Sequence, residues 1–216
     1  MPVQLNSNIL QPDLILISDQ LLTATTYGCD QNWFADHWQR QAGCGPCTAA
    51  TILYYLARSR SLLDHLYTAS SHAKEDFTHF MTDIWHYVTP GKMGVNEASI
   101  LADGVTQYAA HHNVILHSSI CQVQTRRKHR VSFADFVDFI RLGLDSDCPV
   151  AFLNLSNGKL NNLDSWHWVT ITGLLSDSSP VIQAIIADSG ERKIIDLGQW
   201  YQTSWLGGAA VWFTID

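Results

Sequence analysis

Gln39-Arg-Gln-Ala-Gly-Cys-Gly-Pro-Cys-Thr-Ala-Ala-Thr-Ile-Leu-Tyr-Tyr-Leu56 decides how this chain is read. The stretch opens irregular, turns at Gly43, Gly45 and Pro46, and continues with helical periodicity. Pro46 suits a first helical turn, where its missing N–H breaks no intrahelical bond. Ile52, Leu53 and Leu56 then recur at helical spacing, so one face is buried. A cysteine therefore stands at the positive end of a buried helix, a setting that favours a thiolate nucleophile. Three readings follow. The helix is a core element with incidental cysteines; or Cys44 and Cys47 are a redox dithiol; or one of them is a nucleophile that needs a distant His and an Asp or Asn.

The chain around this stretch narrows the choice. Its 216 residues predict one domain with a sizeable core. A hydrophobic content of 46% with 15% charged residues is that of a globular protein, and no apolar run is long enough to span a bilayer. Without a basic segment followed by an apolar block at the N-terminus, the expectation is a cytoplasmic protein with no signal peptide and no membrane partner. The net charge is −7, and the basic run Arg126-Arg-Lys-His-Arg130 is too small to make a nucleic-acid face, so nucleic acid is not an expected partner. Five cysteines (29, 44, 47, 121 and 148) fit a reducing compartment better than a disulfide framework.

Upstream, residues 14–17 read as a short strand and 21–43 as irregular, with Trp33, Phe34 and Trp38 either packing anchors or cleft walls. Downstream, residues 61–88 read as a helical block with histidines at 65, 72, 79 and 86. A spacing of seven residues separates them by about 10.5 Å of helix rise, whereas metal ligands must converge at about 2 Å. No metal and no cofactor are expected. Asn96 reads as the N-cap of a helix through Ile100, Leu101, Val105 and Tyr108, residues 114–120 as a strand, and Ser132 with Asp135 as an acidic capping box opening a helix through Phe136, Phe139 and Ile140. Strands then follow at 149–155, 167–175, 181–187, 193–196 and 209–215, with a helix at 197–203. Helices first and antiparallel strands afterwards predict an α+β fold, a helical layer packed on a twisted sheet. The middle block, 57–147, is expected to shape a substrate cleft.

A thiolate nucleophile needs a base, and the base needs a polar group to orient it. His167 begins an apolar strand after a polar loop, flanked by Trp166 and Trp168. Asp188 ends the next strand, before Ser189-Gly190. Two antiparallel strands joined by a turn can bring these residues to one sheet end. The order Cys, His, Asp, each at an element end, outweighs the reading of each as an ordinary structural residue.

This constellation resembles the papain-like cysteine peptidases, in particular the C39-like peptidases and phytochelatin-synthase-like enzymes. The resemblance rests on Gly43-Cys-Gly-Pro46 running into the helix, on residues 149–153 with His167-Trp-Val-Thr-Ile-Thr-Gly173, on Ala187-Asp188, and on Gly207-Gly-Ala-Ala-Val211. It implies a papain-like fold in which a central N-terminal helix carrying the cysteine packs on a C-terminal twisted antiparallel sheet carrying His and Asp. It also implies a Cys44–His167–Asp188 triad acting on a peptide or protein substrate. The family places an oxyanion-hole glutamine six residues before the nucleophile. Gln39 lies one place off that spacing from Cys44, whereas Gln41 lies six before Cys47, so Gln41 with Cys47 as nucleophile is the alternative. The helix register favours Cys44. Asp188 also lacks the proline that commonly follows it in the C39-like pattern. The implied activity is a thiol-dependent hydrolase, a cysteine peptidase or amidase. A deamidase or transpeptidase would pass through the same acyl-enzyme. The alternatives are a thioredoxin-like CxxC oxidoreductase, against which the absence of a hydrophobic strand before Cys44 counts, and an inactive papain-fold binding module.

Overall fold

The computed structural model describes residues 6–19, 23–176 and 181–215. In chain order these form β1 (Asn6–Asn8), β2 (Leu16–Ser18), β3 (Thr25–Tyr27), α1 (His37–Ala42), α2 (Cys44–Ser59), α3 (Lys74–Trp85), α4 (Ala98–His111), β4 (Leu116–Val123), α5 (Phe133–Asp145), β5 (Val150–Asn154), β6 (His167–Leu175), β7 (Gln183–Asp188), β8 (Glu191–Asp196), α6 (Leu197–Thr203) and β9 (Gly208–Ile215). The fold is α+β. One antiparallel sheet of seven strands runs β4-β9-β5-β6-β7-β8, and β1 pairs with the second half of β6. The β2-β3 ladder is a separate two-stranded sheet.

The periodicity of α2 understates its burial: every residue from Gly45 to Ala57 is buried. A helix covered all round must be packed on more than one side. Leu53, Leu56, Phe77, Met81, Leu101 and Val105 of α2, α3 and α4 share one core with Ala151, Leu153, Trp168 and Val211 of the sheet. The alternate strand residues Val150, Phe152, Val169, Ile171 and Ala210 face the other way, into a second core with Phe136, Ile140 and Leu144 of α5 and Trp200 of α6. Strand alternation thus serves two layers at once.

This corrects the expectation of a single helical layer. Helices cover both faces of the sheet, and strands β1 and β4 join it from outside the C-terminal third. The block read as one helix at 61–88 divides into a 3-10 turn at Ser61–Leu66 and α3, because residues 67–73 are extended or bent. Its four histidines therefore do not share one helix. Asn96 is not a cap: Glu97 holds that position, with no side-chain hydrogen bond. Ser132 caps α5 as expected, its Oγ accepting from the Asp135 N–H at 3.1 Å, but the Asp135 carboxylate accepts from the Ser132 hydroxyl and not from its backbone N–H, so only half of the capping box forms. The region read as irregular, 21–43, carries β3 and α1, with Asp36 capping α1 through the Trp38 and Gln39 N–H groups. Strand β6 and helix α6 have their expected bounds. The turn expected between β6 and β7 at 177–180 lies outside the described residues. Among the described residues no helix is long and apolar enough to cross a membrane.

Candidate functional site

Cys44 is the first residue of α2 and is partly exposed, whereas Cys47, one turn on, is buried. Gly43 and Gly45 let this helix start lie close to its neighbours. A Cβ on Gly45 would stand 2.8 Å from Val95 Cγ2, and one on Gly43 2.7 Å from the Phe34 ring. Val95 in turn accepts a 2.6 Å hydrogen bond from the Trp168 indole on β6. The α2 start, the 91–96 loop and the β6 start are thereby fixed to one another.

His167 is the first residue of β6, and Asp188 the last of β7. Trp168 and Thr170 point from β6 into the same cavity, as alternation requires. His167 reaches that cavity from the strand's first position, directly after Trp166, whose φ of 57° is left-handed. A bulky residue there is strained by about 1–3 kcal/mol, and such strain clusters at functional sites. His167 Nε2 lies 2.7 Å from Asp188 Oδ1, and the ring lines the same small cavity as the Cys44 thiol. With Nε2 on the carboxylate, Nδ1 is the nitrogen left for a second partner.

Asp188 is 4% exposed and fully engaged. Besides His167 it accepts from Ser189 Oγ at 3.0 Å and from Lys193 Nζ at 2.8 Å. Lys193 reaches it because β7 and β8 form a hairpin in which Asp188 pairs with Glu191 and Ile186 with Lys193. Ser189 and Gly190, with φ of 54° and 77°, make the two-residue turn that matches strand twist. The electrostatics follow from this packing. Burial pushes the His167 proton affinity down, but the Asp188 carboxylate and the Cys44 sulfur more than offset it, leaving its pKa raised to about 10. Burial likewise pushes Asp188 up, yet His167 and Lys193 hold it well below the usual carboxylate range. Burial and the neighbouring Cys29 push the Cys47 thiol well above its ordinary value.

Cys44 lines two separate cavities. One is small, about 20 Å3 and large enough for one water, and is lined also by Gln31, Cys47, His167 and Asp188. The other is a groove of about 390 Å3 walled by Trp38, Met93, Leu153, Leu155 and Trp166, with Gln41 and Lys92 on its rim. Trp38, Met93 and Trp166 are exposed there, whereas Trp33 and Phe34 pack inward against Phe77 and Trp85.

The structure thus brings Cys44, His167 and Asp188 together. It does not bring Gln39 with them: Gln39 lines neither cavity. Gln41 shares the groove with Cys44, but the buried Cys47 does not line it. The glutamine beside both Cys44 and His167 is Gln31, which sequence reasoning missed because it lies well outside the six-residue spacing. Its Nε2 donates to the Arg40 carbonyl at 2.8 Å, which fixes the amide plane. The loop that carries it is fastened to the β7-β8 turn by Tyr27 N–H to Gly190 O at 2.8 Å and Gly190 N–H to Cys29 O at 3.2 Å. Lys193 was also missed; its only local signal is its place on the Asp188 face of a tight hairpin. Among the described residues no group of three His, Cys, Asp or Glu side chains is placed to hold a metal ion. No protein-family model and no curated protein sequence matches the chain.

Proposed function

We propose that this protein is a papain-like thiol hydrolase that cleaves a peptide or amide bond through Cys44, His167 and Asp188. The observation that carries the proposal is one imidazole 2.7 Å from a buried carboxylate, sharing a small cavity with a thiol at a helix start that also lines an open groove. The Cys44 thiolate attacks the scissile carbonyl. The oxyanion forms beside the Cys44 backbone N–H, one of the unpaired donors of the α2 N-terminus. The second Nε2 hydrogen of Gln31 is the other donor, in the place expected of Gln39. His167 gives its proton to the leaving amine as the C–N bond breaks, and Asp188 keeps the ring oriented. Water, deprotonated by His167, then attacks the thioester, releases the acid and restores the thiol. The groove walled by Trp38, Met93 and Trp166 receives the substrate chain, and its 91–96 wall is the part of the middle block that shapes the cleft.

The test is limiting iodoacetamide at about pH 6, where a free cysteine with pKa about 8.5 hardly reacts. Peptide mass mapping would compare the wild type with His167→Ala. Labelling confined to Cys44 in the wild type, and falling about 10- to 100-fold in the variant, is the expected result. Labelling that ignores His167, or that falls on Cys47, overturns the proposal.

A further inference from the structure

Three thiols converge where acyl transfer uses one. Cys29, Cys44 and Cys47 line the small cavity together with His167. Cys44 and Cys47 are the first and fourth residues of α2. Helix geometry sets their Cα atoms about 5 Å apart, inside the span of about 4.4–6.8 Å that a disulfide bridges. Cys29 stands deeper along the helix. Its Sγ donates to the Cys47 carbonyl at 3.3 Å and lies 3.4 Å from Thr51 Oγ1, a turn beyond Cys47. Cys47 therefore lies between the other two, and its thiol is the one nearest in the helix to Cys44. The cavity admits a water-sized molecule, and the Cys44 thiol beside His167 is reachable from the groove as well.

We propose that Cys44 is a reversible oxidation site for hydroperoxides, with Cys47 as its resolving thiol. In the first step the Cys44 thiolate attacks one peroxide oxygen and the O–O bond breaks. Cys44 is oxidised to a sulfenic acid, the peroxide is reduced, and the departing hydroxide or alkoxide takes a proton, from His167 or from solvent, to leave as water or alcohol. In the second step Cys47 sulfur attacks the sulfenic sulfur. An S–S bond forms, the S–O bond breaks, and the hydroxyl leaves as water with the Cys47 proton. A thiol reductant reverses the state by exchange, ending as its own disulfide. The disulfide protects Cys44 from the irreversible sulfinic and sulfonic acids. The burial that holds Cys47 protonated keeps it out of competition with Cys44 until the sulfenic acid forms.

The experiment treats the purified protein with a slight excess of hydrogen peroxide at about pH 7, blocks free thiols with N-ethylmaleimide, and digests it without reduction. Trypsin leaves both cysteines in one peptide, Gln41–Arg58, and Cys29 in another. The expected product is that peptide unblocked and lighter by two hydrogens, with labelling of Cys44 restored by dithiothreitol. In Cys47→Ala, Cys44 passes instead to the sulfinic acid and labelling is not restored. A cross-link joining the two peptides, or sulfinic acid at Cys44 forming as readily in the wild type as in the variant, overturns the proposal. The wild-type map decides the matter even if the variant does not fold. The proposal requires Cys44 to be oxidisable, not to attack an amide. Labelling that ignores His167 would therefore defeat the hydrolase reading and leave the disulfide standing.

Discussion

The two ends of α2 make opposite use of polar groups. At the C-terminal end each is committed to a fixed partner. Tyr54 Oη donates to the Leu16 carbonyl and Tyr55 Oη to the Asp147 carboxylate. Arg58 donates to the Leu14 carbonyl at 2.6 Å, and Arg60 to the carbonyls of Ser146 and Asp147 at 2.8 and 2.9 Å. At the N-terminal end Cys44, His167 and Gln31 line cavities, the ring and the amide each held by one fixed partner. Polar groups spent on backbone acceptors hold the fold; groups turned toward open space are available to a substrate. The apolar middle of the helix makes the two ends one rigid unit, so anchoring at one end positions chemistry at the other.

This contrast can be broken by substitutions at each end. The largest effect is expected at Cys44. Cys44→Ala should abolish hydrolysis of a peptide-amide library, at least about 1,000-fold, while urea unfolding shifts by less than about 1 kcal/mol because the side chain is only partly buried. A large loss of stability would place Cys44 with the anchors instead. At the far end Tyr55→Phe should do the reverse. Loss of a hydrogen bond to a carboxylate should cost about 1–3 kcal/mol in urea unfolding, with the rate of Cys44 labelling unchanged. A matching drop in labelling would show that the two ends are not separable in this way.

The pH response sharpens the comparison further. His167 binds its proton more tightly in the fold, so its contribution to stability is complete below its unfolded value of 6.5 and is lost as pH rises through about 10. Asp188 is shifted the other way, so its contribution is present above its unfolded value of 3.8 and is lost as pH falls below it. The melting-temperature advantage of the wild type over His167→Ala should therefore be greatest between these limits and shrink toward pH 10. An advantage that grows with alkaline pH would contradict the pairing. The smallest effect is expected at Lys193, whose ion pair with Asp188 is partly open to solvent. Lys193→Met should change Cys44 labelling by only about two- to fivefold, the effect of a partly exposed pair, and should move the His167 NMR titration upward by freeing Asp188 charge. A larger loss would make Lys193 essential to positioning rather than a support.

Much of the site was legible because its residues sit at element boundaries that local sequence marks. Gly43 and Pro46 mark the start of α2, the polar loop before His167 marks the start of β6, and Ser189-Gly190 marks the end of β7. The strand pattern of 150–215 also carried through, since alternation over a buried sheet is a local signal. The glutamine beside Cys44 and His167 was not legible. Gln31 reaches the cavity only because β3 is stitched to the β7-β8 turn, some 160 residues along the chain, through Tyr27, Cys29 and Gly190. No spacing rule within one segment contains that contact. The helix block at 61–88 failed for a related reason: its apolar residues serve α2 and α4 from a broken element, so apolar content was read as continuous helix.

The sequence by itself determined which residues stand at the ends of rigid elements: a cysteine opening a buried helix, a histidine opening a strand and an aspartate closing the next. Only the tertiary structure decided that these ends meet, that Cys44 rather than Cys47 also opens onto the groove, and that Gln31 rather than Gln39 shares their cavity. The division has a physical basis. Caps, turns and alternation are set by neighbours a few residues away. The distance between two element ends is set by how whole layers pack, here by the side chains of α2 filling the space between the sheet and α3 and α4.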